Sequence, residues 1–256
     1  SGDVWGYWAD PVEETAWYWD WEGTLSSYGE GPRPIVQWLG IYNVDNVTIE
    51  NIHFRNTEPE HRGGFWYMFN DAENFTVRNC LIEETTTSIV APLNSDAICR
   101  NVKILDSQFL DCHGTSNEET PLLECGLFVD NVHGLLLDNV TIDYSQEIQD
   151  TYDEWWFDHC LYIQHDCLDI EIRNSTFGNA PCNGVKTNSP AWIHNNTFLN
   201  NPHAIHIGAA QYTDDDIRVE WGLIENNTFI GVGRIADMPR GSGVGIGWAA
   251  NVTVRN

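Results

Sequence analysis

Apolar and polar residues alternate in short bursts along this chain, and each burst breaks at an asparagine or aspartate before an apolar residue returns three positions later. The phrase reads VTIENIHF (47–54), FTVRNCLI (75–82), VKILDSQF (102–109), LLLDNVTI (135–142), IEIRNSTF (170–177), AWIHNNTF (191–198), GLIENNTF (222–229) and a shortened VTVRN (252–256). A period of two marks a strand with one buried face, so each phrase predicts two short strands joined by a bend at the polar residue. The bend column is Asn51, Asn79, Asp106, Asn139, Asn174, Asn195, Asn226 and Asn256, at intervals of 21 to 35 residues. Uneven intervals on a constant phrase imply coils of one shape carrying loops of different length. Stacking such coils sets asparagine on asparagine in an inward ladder, and Phe54, Phe109, Phe177, Phe198 and Phe229 in one internal stack.

A further strand precedes the later phrases: GLFVD (126–130), CLYIQ (160–164), GVKTN (184–188), AIHIG (204–208) and GVGIG (243–247). Alternation turns Leu127/Val129, Leu161/Ile163, Val185/Thr187, Ile205/Ile207 and Val244/Ile246 inward. The intervening residues then form an outward column, Phe128, Tyr162, Lys186, His206 and Gly245, with Asp130, Gln164, Asn188, Gly208 and Gly247 beside it.

These phrases resemble the right-handed parallel β-helix superfamily over about residues 36–256. The resemblance implies an all-β solenoid of about eight coils, a rod about 35 Å long at ~4.8 Å per layer. Residues 1–35 hold five of the twelve tryptophans and no clear repeat, which predicts an irregular aromatic N-terminal cap over exposed strand edges. Asn256 falls inside a phrase, so the C-terminal coil is expected to be incomplete and the rod ends able to self-associate. Two acidic, aromatic inserts, 144–159 and 209–221, are expected to rise as walls beside the outward column.

Charge narrows the partners. Acids outnumber bases 38 to 12, for a formal charge of −26. Such a field repels nucleic acid and anionic membranes. Only two of the bases, Lys103 and Lys186, are lysine. Acid excess with scarce lysine points to salt adaptation, because self-repulsion is screened when the Debye length falls to about 3 Å at 1 M salt. No apolar run reaches the ~20 residues of a membrane-spanning helix, so membrane insertion is not expected. The seven cysteines carry no zinc-type spacing. A bridge from Cys112 to Cys125, and another among Cys160, Cys167 and Cys182, would fit an extracellular or cell-surface location. Of the N-x-S/T sequons, those at Asn139, Asn174, Asn195 and Asn226 fall in the ladder expected to point inward, leaving Asn46, Asn74 and Asn251 as turn sites for glycans.

On the outward column Tyr162, Lys186 and His206 occupy successive coils, with Cα atoms about 5 Å apart. A phenol, an amine and an imidazole within reach of one sugar linkage are groups that could serve a β-elimination. The column is similar to the alginate-lyase and chondroitinase type of β-helix lyase: GVKTN supplies Lys186 at the lysine position, while AIHIG has His206 where an arginine stands in those enzymes. That resemblance implies a secreted polysaccharide lyase or uronate epimerase. Lys186 would be the base or carboxylate neutraliser, His206 the complementary base or acid, and Tyr162 the acid toward the leaving oxygen. Acidic surroundings should hold the Lys186 pKa up and favour the neutraliser. Asn188 and Gln164 would bind carboxylate or hydroxyls, and Trp155, Trp156, Tyr212 and Trp221 would stack on sugar rings from the walls. Asp130, Asp166, Asp214, Asp215 and Asp216 could supply oxygen ligands to calcium, which would also bridge an acidic protein to an acidic polysaccharide. His159, His165 and His203 near the same edge match no standard metal-ligand spacing. The reading from another class is a non-catalytic surface protein, such as an adhesin, virus-spike module or filament subunit, that uses the same rod as a scaffold.

Overall fold

The computed structural model describes residues 4–5, 18–19, 22–27, 29, 31–36, 39–42, 45–55, 66–69, 72–84, 88–90, 97–111, 125–144, 159–208, 218–233 and 241–256. Each of the seven full repeat phrases folds as two short strands joined at its asparagine or aspartate. Its first half enters a nine-stranded parallel sheet running from Gly23–Ser26 through Val47–Glu50, Thr76–Arg78, Cys99–Leu105, Val132–Asp138, Leu168–Arg173, Ala191–His194 and Gly222–Glu225 to Val252–Arg255. Its second half enters another nine-stranded sheet, which includes His53–Arg55, Gln108–Leu110, Thr176–Gly178, Thr197–Leu199 and Thr228–Ile230. The third, six-stranded sheet is made of Ser88–Val90, Cys125–Val129, His159–Ile163, Asn183–Thr187, His203–Ile207 and Ser242–Ile246. The chain thus visits three parallel sheets in turn on the later coils, the path of a parallel β-helix, while Tyr18–Trp19, Leu39–Tyr42 and Trp66–Phe69 form a separate three-stranded parallel sheet.

Within residues 1–35, where an irregular aromatic cap was expected, the described residues include short strands. Gly23–Ser26 pairs with Val47–Glu50, Val4–Trp5 with Ile35–Val36, and Tyr18–Trp19 with Leu39–Tyr42, all in parallel. The described part of residues 1–35 therefore carries strands of the solenoid itself, although its sequence lacks the asparagine phrase.

The core is the line of inward residues. Phe54, Ile82, Phe109, Ile142, Phe177, Phe198 and Phe229 follow one another in register across the second sheet. Phe177 and Phe198 stack with centroids 5.3 Å apart, and Phe198 and Phe229 at 5.5 Å. Phe229 lies in the last full coil and is 39% exposed, with Ile230, Ile246, Trp248 and Val254 exposed around it.

The bend residues adopt left-handed backbone, with φ between 49° and 61° from Asn51 to Asn256. Asparagine and aspartate tolerate that region better than other residues with a Cβ. Their side chains ladder along the axis: Asn79 Nδ2 donates to Asn51 Oδ1 at 2.6 Å, and Asn139 Nδ2 to Asp106 Oδ1 at 2.7 Å. The ladder does not point inward as expected. Asn79, Asn139, Asn174, Asn195 and Asn226 are exposed at the corner. A left-handed residue swings its side chain out of the turn, and the residue after it enters the core. That next column holds Ser107, Ser175 and Asn196, which satisfy the backbone of neighbouring coils: Ser107 Oγ accepts from Cys80 N at 3.1 Å, and Asn196 Oδ1 accepts from Ser175 N at 2.9 Å. The four ladder sequons are therefore not removed from glycosylation by burial.

The expected disulfides are not present among the described cysteines. Cys80, Cys99, Cys125, Cys160, Cys167 and Cys182 are thiols, five of them buried, while Cys112 lies outside the described residues. They fill core positions as small apolar groups. Burial pushes the Cys80 thiol up to about 11 and the Cys167 thiol up to about 12.

Candidate functional site

The third sheet places the expected column in register. Phe128 pairs with Tyr162, Tyr162 with Lys186, Lys186 with His206, and His206 with Gly245. Strict alternation fails just before this column, because each strand sends two successive residues inward. Cys160 Sγ reaches the Ile142 and Gly178 carbonyls across the interior at 3.4 Å each, while Leu161 beside it is fully buried in the core. At Gly184 a Cβ would meet the Phe198 ring and the Ala204 carbonyl at 2.8 Å, so only glycine fits there, and its neighbour Val185 is again core. This kink turns His159, Asn183 and His203 outward as a second polar column beside Tyr162, Lys186 and His206. Ring contact between His159 and Tyr162, edge to face at 5.2 Å, joins the two. The alternation argument missed the second column. Its signal in the sequence is the run of small residues Gly126, Cys160, Gly184, Ala204 and Gly243 at one register position.

These outward side chains are nearly inaccessible: Tyr162 is 9% exposed, Lys186 8%, Asn188 6%, Asn183 4% and His159 3%. Asn188 ties the cluster together. Lys186 Nζ donates to Asn188 Oδ1 at 2.8 Å and to the Gly208 carbonyl, and Asn188 Nδ2 donates to Tyr162 Oη at 3.2 Å and to Gln164 Oε1 at 3.5 Å. Ser189 braces the strand end, its Oγ donating to the Gln164 carbonyl at 2.6 Å and accepting from Cys167 N at 3.1 Å.

Burial reverses the expected electrostatics of the lysine. Acidic surroundings were expected to hold its pKa up, but desolvation dominates at Nζ and lowers it from 10.5 to about 8. Among the described residues, Cys182 is the group that opposes this shift. His206 is lowered to about 4 by burial, then by Lys186 and His203, so its imidazole is neutral near pH 7. Its Nε2 is buried without a hydrogen-bond partner, as is Asn183 Oδ1.

The remaining expected residues separate. Trp221, 40% exposed, precedes the strand Gly222–Glu225 of the first sheet and is not on the sheet that carries Lys186. Asp130 and Asp166 border the third sheet; burial raises the Asp130 carboxyl, with His165 opposing and Asp166 adding to the rise. Asp166 is exposed and lies 3.8 Å from His165 Nε2. Among the described residues no three acidic, histidine or cysteine side chains gather as a metal site. Trp155, Trp156, Tyr212, Asp214, Asp215 and Asp216 lie outside the described residues.

Three parallel sheets, asparagine corners and a stacked aromatic core define a β-solenoid, and a comparison with known families agrees. The family described as right handed beta helix region matches residues 38–220, and the chain belongs to it. No curated protein and no solved structure matches the chain. The fold supports a carbohydrate-active protein or an extracellular scaffold; the chemistry must be argued from the site.

Proposed function

We propose that this protein is a secreted carbohydrate-active enzyme, a polysaccharide lyase or uronate epimerase acting on a glycan at the outer face of the third sheet. The observation that carries the proposal is the bonding pattern of Lys186. A neutral amine has two N–H groups and one lone pair, and Nζ gives two hydrogen bonds, to Asn188 Oδ1 and the Gly208 carbonyl. With its pKa lowered to about 8 the amine becomes neutral above that pH, and its lone pair is then left for a proton, which favours the base role over the neutraliser.

In an elimination, Lys186 removes the proton beside the uronate carboxylate. The C–H electron pair becomes the new ring double bond, the bond to the leaving oxygen breaks, and Tyr162 returns a proton to that oxygen. His206, neutral, meets the carboxylate or a hydroxyl through Nε2. Asn188 holds base and acid in one frame through its two amide ends. In an epimerisation the proton returns to the same carbon from the opposite face and no glycosidic bond breaks. Calcium held at Asp130 and Asp166, bridging to substrate carboxylates, belongs to the same proposal.

The non-catalytic scaffold remains the second reading, favoured by the 8% exposure of Lys186, since a buried amide and amine network also cross-links coils. The test is a screen of uronate polysaccharides in high salt, with and without calcium, read by the ultraviolet absorbance of the unsaturated product and by NMR for epimerised residues. Turnover that is lost in Lys186→Ala and kept in Lys103→Ala supports the enzyme. Normal turnover in Lys186→Ala removes the assigned base, and concentration-dependent assembly without any product favours the scaffold.

A further inference from the structure

Among the described residues, two buried side-chain polar atoms lack a partner, Asn183 Oδ1 and His206 Nε2. Both belong to the outward face of the third sheet, on adjacent strands: Asn183 stands three residues before Lys186 on the same strand, and His206 is the partner of Lys186 on the next. Leaving a buried acceptor unpaired is unfavourable, and native interiors rarely tolerate it without a use.

Other buried asparagines of the chain show the contrast. Asn196 accepts from Ser175 N at 2.9 Å and donates to the Ile172 carbonyl at 2.9 Å. Asn201 accepts from Ala180 N at 3.0 Å and donates to the Phe177 carbonyl at 2.9 Å. Asn188 is used at both ends as described. Asn183 alone among these is half used: its Nδ2 donates to His159 Nδ1 at 3.0 Å and contacts Cys182 Sγ at 3.1 Å, and its buried oxygen has no hydrogen-bond partner. Exchanging the amide oxygen and nitrogen does not help, because the other end is then orphaned.

We infer that Asn183 and His206 form a hydroxyl-reading subsite next to Lys186, which takes a saccharide ring that donates one hydroxyl to Asn183 Oδ1 and shares another with His206 Nε2. The inference rests on reading this face as a glycan site and adds which groups of the ring it recognises. An acceptor such as Asn183 Oδ1 requires a donor, so a carboxylate cannot fill that end. Neutral His206 can give or take a hydrogen bond at Nε2, and a hydroxyl answers either tautomer. A cationic ligand would meet Lys186 beside them.

The experiment compares the parent with Asn183→Ala, His206→Phe and the control Asn196→Ala. Oligosaccharides of galacturonate, of mannuronate and guluronate, and of uncharged xylose serve as probes, with binding read by calorimetry and stability by thermal melting. Each subsite variant should weaken whichever probe the parent binds by about tenfold, the loss expected for one hydrogen bond to a buried group. Without saccharide, His206→Phe should melt at or above the parent. Asn183→Ala should lose less than Asn196→Ala, whose amide is satisfied at both ends. Parent-like binding in either subsite variant, or a His206→Phe protein melting well below the parent, overturns the subsite. If that happens while Lys186→Ala still abolishes turnover, the proposed function stands without it. A parent that binds none of the probes overturns the glycan reading and the subsite together.

Discussion

Replacing Lys186 by methionine tests the physical state of the candidate base without any knowledge of the substrate. The amine is 8% exposed, and burial lowers its pKa from 10.5 to about 8. At about 1.36 kcal/mol per pH unit, that displacement corresponds to about 3 kcal/mol against keeping the ammonium in the folded protein below pH 8. Between about pH 8 and 10.5 the unfolded chain holds this proton and the folded protein has released it, so parent stability rises with pH by that amount. Lys186→Met has no such proton. It also loses the hydrogen bonds to Asn188 Oδ1 and the Gly208 carbonyl, about 0.5–1.5 kcal/mol each. At pH 7 the variant should therefore be more stable than the parent by about 1 kcal/mol, and by pH 10.5 it should be less stable by about 2 kcal/mol. Urea unfolding followed by tryptophan fluorescence, at fixed salt from pH 7 to 10.5, measures the difference, and contributions from titrating groups that do not interact with Lys186 cancel in it; a Cys182→Ser background removes the one coupled thiol. Parallel curves for the two proteins would refute the reasoning, because they would mean that the ammonium is solvated in the folded state.

Three further outcomes follow from the same geometry. If Lys186 acts as the neutral base, turnover should rise as pH increases through about 8, and a profile falling across that range would assign the lysine to its charged form instead. Phe198, stacked between Phe177 and Phe229, should cost about 3–5 kcal/mol when cut to alanine, read by chemical unfolding; a loss under about 1 kcal/mol would mean that the aromatic column does not carry the core. Asn79, at φ 49° on an exposed corner, should tolerate glycine with little change in melting temperature, whereas alanine should cost about 1–2 kcal/mol in the left-handed region. Equal effects of the two would argue that the amide ladder, and not the backbone, makes asparagine necessary there.

Much of the solenoid was legible because its rule is local. Val47 and Ile49, Phe75 and Val77, Ile170 and Ile172 each state one buried face, and the following asparagine states a bend, with no knowledge of the rest of the chain. The direction of the asparagine ladder was not legible, because alternation continued through a bend mispredicts the side of the turn on which a left-handed residue falls. The solenoid strands within residues 1–35 were hidden for a related reason: Val4–Trp5 and Gly23–Ser26 pair with the next coil without sharing its phrase. At the site, Tyr162, Lys186 and His206 could be aligned from spacing alone, yet nothing in spacing reports burial. The loss of solvent that moves Lys186 to about 8 and His206 to about 4 depends on what covers the sheet, and covering is a tertiary property.

The two polar systems of this rod obey opposite rules, and that contrast locates function better than either residue type does. Along the corners and in the core, polar side chains close on their neighbours: Ser107, Ser175, Asn196 and Asn201 each satisfy backbone groups of an adjoining coil. Such a ladder needs nothing from outside, and repetition makes each member replaceable by the same residue one coil away. The face of the third sheet does not repeat. Its register positions read His159, Asn183, His203 in one column and Tyr162, Lys186, His206 in the other, a different chemistry on each coil. A stacked coil has no structural need for that variety, and the arrangement leaves Asn183 Oδ1 and His206 Nε2 unanswered where the interior asparagines are answered at both ends. On the proposed reading a saccharide completes this face, and the groups it must bring are set by the atoms left open.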